Sequence, residues 1–142
     1  MKFAVLVSQF NPEVTTGLER GAYEYLNEQG VEAEDIERFS APGAFEIPLI
    51  AQKLARTGKF AGVICLGCVI KGDTAHFEFI SLGATIGIQS AMLSTEVPIS
   101  FGILTTYTDE QAVARSRSDA HNKGREAAGA VVETLKTLRQ LQ

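Results

Sequence analysis

The sequence predicts an α/β fold: a three-layer α/β/α sandwich around a four-stranded parallel sheet. Two observations predict it. Four short, β-rich runs alternate with stretches of helical periodicity, strand first and helix last. That order implies parallel strands with helices on both faces. No linker, internal repeat or low-complexity segment breaks the alternation. Residues 1–142 therefore read as a single domain, long enough for a real core.

Each element has its own grounds. Strands are expected at Phe3–Val7, Asp35–Phe39, Ala61–Val69 and Pro98–Leu104. The second is the weakest, because charged residues fill most of it. A first helix fits Val14–Gln29, where Leu18, Ala22, Tyr25 and Leu26 share a face and Gly30 supplies a stop. A second fits Phe45–Thr57 and ends at Gly58. The third fits Phe77–Ser94, in which Gly83 and Gly87 share a face and permit close packing. Thr108 and Gln111 have capping-box spacing and open a short fourth helix. The last runs from about Asn122 to the C-terminus, with the stripe Ala127, Ala128, Val131, Val132, Leu135 and Leu138. Right-handed crossovers then favour a doubly wound, flavodoxin-like arrangement.

Bulk properties exclude several classes. A net charge of −4 argues against nucleic-acid binding, so any anion site must be local. No apolar run is long enough to cross a bilayer. Met1-Lys2-Phe3 enters the first strand at once, and Asn11-Pro12 ends it too early for a signal peptide, so a cytoplasmic location is expected. Cys65 and Cys68 form a C-x-x-C, but Cys65 lies inside an apolar run. Residues three apart on a strand face opposite ways, poor geometry for a disulfide. With no second cysteine pair for zinc, small apolar filler is a better reading than a redox or metal function.

Sites in such sheets lie beyond the C-terminal ends of the strands. Four unusual segments fall there: Ser8-Gln9-Phe10-Asn11, Ala41-Pro42-Gly43-Ala44-Phe45-Glu46, Gly67 to Glu78, and Thr105-Thr106-Tyr107-Thr108. The third is the most informative. A Gly-bearing loop between strand and helix presents backbone N–H groups, and the helix dipole favours an anion. Gly67-x4-Gly72 followed by Asp73-Thr74 nearly spells a nucleotide-binding P-loop, but Asp73 stands where that motif needs lysine. A monophosphate is the better guest, held by the N–H groups of Asp73 and Thr74 and by the Thr74 hydroxyl. The bland alternative is a tight turn with no ligand.

His76 opens the third helix on this loop, where an imidazole could pass protons between substrate atoms; a solvent-facing histidine is the alternative. Arg115, Arg117, Lys123 and Arg125 cluster near the start of the last helix, either as a solvated basic face or as anion ligands. Phe10 either caps the core or stacks on a flat ligand. Phe101, mid-strand, is core by default. Glu46 opens a helix, where a carboxylate is stabilised by the dipole alone.

Taken together, these segments resemble the 6,7-dimethyl-8-ribityllumazine synthase family. The resemblance covers nearly the whole chain. It rests on Ser8-Gln9-Phe10-Asn11, the run Pro42 to Pro48, the run Gly67 to Phe77, Phe101-Gly102-Ile103-Leu104-Thr105-Thr106, Glu110-Gln111-Ala112 and Asn122-Lys123-Gly124. It implies condensation of 5-amino-6-(D-ribitylamino)uracil with L-3,4-dihydroxy-2-butanone 4-phosphate, without cofactor or metal. By resemblance, Phe10 stacks on the pyrimidine, Ala44, Phe45 and Glu46 hold the ring and ribityl chain, and Cys68, Val69 and Ile70 contact the ring through main-chain groups. Asp73 and Thr74 take the phosphate from one side and Arg115 from the other, while His76 transfers protons. The resemblance places Phe101, Arg115 and Lys123 on the adjacent subunit, which implies a homopentamer. A sixty-subunit shell of such pentamers, and riboflavin synthase as a partner, are further options. Cys68, Asp73 and Arg117 depart from the family's usual threonine, small neutral residue and glycine. Two other readings stay open: an archaeal-type riboflavin synthase, and a non-catalytic flavin-binding assembly protein.

Overall fold

The computed structural model describes residues 1–142. Its sheet has four parallel strands in the order β2-β1-β3-β4: β1 Phe3–Ser8, β2 Ile36–Ala41, β3 Gly62–Ile70 and β4 Ile99–Thr106. The helices are α1 Pro12–Glu28, α2 Ile47–Arg56, α3 His76–Thr95, α4 Asp109–Ala114 and α5 Lys123–Gln140. This is the three-layer, flavodoxin-like sandwich that the alternation predicts.

The layers follow from strand periodicity. Phe3, Val5 and Val7 of β1 and Ile64, Leu66 and Cys68 of β3 face α1 and α5, packing on Val14, Leu18, Leu26, Ala128 and Val131. Ala4 and Leu6 of β1 and Val63 and Cys65 of β3 face α2 and α3, packing on Ile47, Ala51, Ala84 and Ile88. Central strands covered on both faces need apolar residues on both, which is why the runs in β1 and β3 are continuous. The two cysteines lie in different layers, both buried and free. Burial pushes both thiols up, that of Cys68 to about 11 with help from Glu13 and Asp109.

Several element ends differ from the sequence reading. The second strand runs to Ala41 rather than Phe39, because each residue from Ile36 pairs with β1 up to Ser8↔Ala41. It lies at the sheet edge, where charged side chains are tolerated. Helix α1 begins at Pro12, two residues early: Asn11 takes the left-handed conformation (φ 56°), and proline suits the first helical turn. Ala44–Glu46 forms a single 3₁₀ turn, and the α-helix starts only at Ile47, with Pro48 in its first turn. Thr105 and Thr106 belong to β4 instead of following it. Gly83 and Gly87 do give close packing: a side chain at Gly83 would strike the Phe45 ring, and one at Gly87 would strike Pro48.

Asn122 is the main polar fixture of the α1–α5 layer. It is buried, yet all its side-chain groups are used. Nδ2 donates to Gly17 O at 3.0 Å and to Arg117 O at 2.8 Å, and Oδ1 accepts the Arg125 N–H at 3.0 Å as the cap of α5. Asn122→Ala should destabilise the protein by about 3 kcal/mol, since it removes a helix cap and strands buried carbonyls. A shift in the chemical-denaturation midpoint would measure this; a midpoint unchanged from the parent would contradict the accounting.

Candidate functional site

Strand order reverses direction between β1 and β3, and a crevice opens beyond their C-terminal ends. It forms a cleft of about 360 Å³. Its walls come from the three loops that leave β1, β2 and β3. Phe10 and Asn11 follow β1, Gly43, Ala44, Phe45 and Glu46 follow β2, and Cys68, Val69 and Ile70 close β3, with His76 and Ile80 from the start of α3. Nine-residue β3 delivers an apolar main-chain edge, and the rings of Phe10 and Phe45 stand exposed beside it.

Local sequence explains the placement. Asn11, in its left-handed turn, donates from Nδ2 to Cys68 O at 3.1 Å, tying the end of β1 to the end of β3. That turn leaves Phe10 over the cleft. Gly43 lets two groups approach each other: a Cβ there would lie 3.1 Å from Glu46 Oε1 and 3.2 Å from the Phe10 ring. An aromatic face and a carboxylate are thus presented side by side.

The segment from Lys71 to Ala75 projects from this cleft, and every residue from Lys71 to His76 is exposed. Lys71 N–H donates to Thr106 O at 2.9 Å, but no carbonyl of the chain accepts from Asp73 or Thr74. These amides lie just ahead of α3, a helix of twenty residues, so they are free donors near a positive dipole end. Thr74 Oγ1 accepts the His76 N–H at 3.3 Å. Asp73 and Thr74 lie on this loop and do not line the cleft itself.

A second cleft, about 710 Å³, lies along the far side of β4. Phe101, Arg115, Arg117, His121 and Lys123 line it, together with Asp119 and Glu126. Lys123 N–H donates to Arg115 O at 2.8 Å, which brings the end of α4 against the start of α5. Arg115 Nη1 donates to Gln111 O at 3.0 Å, and Lys123 Nζ lies 3.7 Å from Glu126. Arg125 does not join this group. It points the other way, forms a two-pronged pair with Glu28 at 2.6 and 2.8 Å, and lies over the Tyr25 ring. Its helix position, two residues from Lys123, sends it to the opposite flank.

The structure therefore brings Phe10, Ala44, Phe45, Glu46, Cys68, Val69, Ile70 and His76 together, and it gathers Phe101, Arg115 and Lys123 elsewhere. Phe101 is half-buried and lines the second cleft, so it is more than a core residue. Arg117 lines the second cleft, as the basic cluster in the sequence suggested, whereas Asn11, Ile80 and His121 are wall residues to which sequence reasoning gave no role; for Asn11, the Asn-Pro pair directly after a strand was a usable signal. No group of three or more His, Cys, Asp or Glu side chains converges as a metal site would. No helix is long and apolar enough to cross a membrane.

Known proteins resemble this chain along nearly its whole length. Residues 1–139 match the family model described as 6,7-dimethyl-8-ribityllumazine synthase. The chain is 64% identical over 141 residues to 6,7-dimethyl-8-ribityllumazine synthase 1 of Caulobacter vibrioides, covering 99% of this chain and 92% of that protein. It is 48% identical to the 6,7-dimethyl-8-ribityllumazine synthase of Syntrophus aciditrophicus, with the same coverage. Against the protein of that name from Salinibacter ruber it is 47% identical, covering 99% of this chain and 90% of the other.

Proposed function

The chain belongs to the 6,7-dimethyl-8-ribityllumazine synthase family, and from that premise we propose that its two clefts are the halves of one active site, closed when neighbouring protomers meet. The enzyme is a transferase of riboflavin biosynthesis. It condenses 5-amino-6-(D-ribitylamino)uracil with L-3,4-dihydroxy-2-butanone 4-phosphate to give 6,7-dimethyl-8-(1-D-ribityl)lumazine, phosphate and water. The observation that carries the two-half reading is the division of residues. A flat apolar wall with a carboxylate and an imidazole lies on one cleft, and the concentrated cationic groups lie on the other.

In this reading Phe10 stacks on the pyrimidine. Ala44, Phe45 and Glu46 hold the ring and ribityl chain, and the main chain of Cys68 to Ile70 fixes the ring edge. The free amides of Asp73 and Thr74 and the Thr74 hydroxyl take the phosphate. Arg115 and Lys123 of the neighbour approach it from the other side, with Phe101 closing the pocket. Asp73 binds through its amide, with its carboxylate turned to solvent. An amine adds to a ketone and loses water to give an imine; phosphate leaves; the second amine nitrogen closes the ring with loss of water. His76 carries protons between nitrogen and oxygen in these steps. Holding two molecules in register does much of the work, worth roughly 7–11 kcal/mol at best.

Assembly has a physical motive. Phe79, Leu82, Ile86 and Leu93 form an exposed apolar face on α3, with Phe45 and Leu49 also exposed on the neighbouring turn and helix. Such a contiguous patch is costly in water and is normally covered by a partner. It supports self-association, which we take to be a homopentamer of single-domain protomers, with a sixty-subunit shell or association with riboflavin synthase as further levels; a cytoplasmic location is part of the same proposal.

The decisive experiment mixes purified protein with both substrates and follows lumazine optically. Product should form faster than without protein. A rate no greater than the uncatalysed one overturns the assignment, and riboflavin formed from lumazine alone would replace it with a dismutase.

A further inference from the structure

The segment that offers amides to phosphate and carries His76 is exposed from Lys71 to His76. A segment with so few buried contacts opens at little cost. Groups that bind an anion and move protons must instead be held close to their working positions. The contacts that restrain this loop converge on the end of β4. The pairing Ile70↔Thr106 sets Lys71 beside Tyr107, and Lys71 N–H donates to Thr106 O at 2.9 Å. The Lys71 ammonium lies 5.6 Å from the centre of the Tyr107 ring, within cation–π range. From the other end of the loop, the Phe77 ring meets the same Tyr107 ring, 5.9 Å between centres and tilted by 42°.

Tyr107 is itself anchored. Its N–H donates to Gln111 Oε1 at 2.9 Å, while Gln111 N–H donates to Thr108 Oγ1 at 3.1 Å. This is the capping box of α4 displaced by one residue, with the glutamine reaching the residue before the cap. The residue is 66% exposed, so it adds little to the core. Both of its ring contacts go to the two ends of one loop.

We propose that Tyr107 is a positioning residue whose ring clamps Lys71 and Phe77 together and so fixes the phosphate-and-histidine loop between them. The clamp acts through the ring face, so the hydroxyl is dispensable. Its effect on turnover rests on the function proposed above; the clamp itself does not.

Amide hydrogen exchange in the assembled protein tests it, read at Lys71, His76, Glu78 and Phe79, the hydrogen-bonded amides in and beside the loop. Tyr107→Ala should speed exchange there about tenfold and leave the rest of the chain unchanged, while Tyr107→Phe should keep the parent rates. In turnover, the alanine variant should show a several-fold higher KM for the butanone phosphate than for the pyrimidine, and the phenylalanine variant should restore it. Lys71→Ala, which removes one of the two ring contacts, should give intermediate exchange. Unchanged exchange in Tyr107→Ala, equal acceleration throughout the chain, or a phenylalanine variant as loose as the alanine one would each overturn the clamp. If the loop loosens as expected but the parent protein makes no lumazine, the clamp stands and the functional reading falls.

Discussion

His76→Ala is expected to lower kcat by roughly 10-fold to 10³-fold while the protein still assembles. The residue opens α3 and lies exposed on the wall of the 360 Å³ cleft, so its removal takes nothing from either core layer. Its backbone N–H bond to Thr74 Oγ1 survives the substitution. The loss should therefore fall on the chemical steps, with KM for either substrate changing less than kcat. The ceiling on the effect follows from the same physics. Most of the rate advantage comes from holding an amine beside a ketone, which the variant still does, and proton transfer adds about 10² to 10⁴. A variant with unchanged kcat would show that the protons travel by another route. Sedimentation of the variant beside the parent separates loss of chemistry from loss of assembly.

Much of the fold was legible because β1 and β3 carry unbroken apolar runs that only a doubly covered strand needs. Their loops were therefore placed correctly at one edge, and the family motifs lie on those loops. What stayed hidden depended on tertiary pairing. The second strand reads poorly in isolation because Glu37 and Arg38 occupy it, and only its register against β1 carries it to Ala41. Helix α3 has apolar residues all round, so its sequence does not tell which face meets the sheet; Ala84, Ile88 and Ala91 take the inside and Leu82, Ile86 and Leu93 stay out. Arg125 read as one of four clustered cations, although its pairing with Glu28 depends on where α1 ends against α5. Tyr107 lay in one of the four unusual strand-end segments, but nothing in the sequence gave it a role. Its meaning comes from the β3–β4 register, which sets it against Lys71 and Phe77. Sequence identifies groups with chemistry of their own more readily than groups that act by holding others.

Arg115→Ala is expected to raise KM for the butanone phosphate on the order of 10- to 100-fold, and far more than KM for the pyrimidine. A chain with net charge −4 gives a phosphate no general attraction, so affinity must come from local donors. Of the cations in the second cleft, Lys123 has Glu126 at 3.7 Å to offset its charge. Arg115 has no carboxylate partner; one Nη1 bond goes to Gln111 O, leaving the rest of its planar fork for a phosphate. Lys123→Ala should accordingly cost less than Arg115→Ala. Arg115→Lys should fall between, since it keeps the charge and loses the two-pronged geometry. The same guanidinium also satisfies a carbonyl at the end of α4, and its loss will lower stability slightly. That contribution is shared by both substrates, so the asymmetry between the two KM values isolates the phosphate contact. Competition by inorganic phosphate supplies a second measure and should weaken in parallel. Equal rises in both KM values, or phosphate inhibition as strong as in the parent, would assign the anion to other groups, with Arg117 the other arginine lining the same cleft.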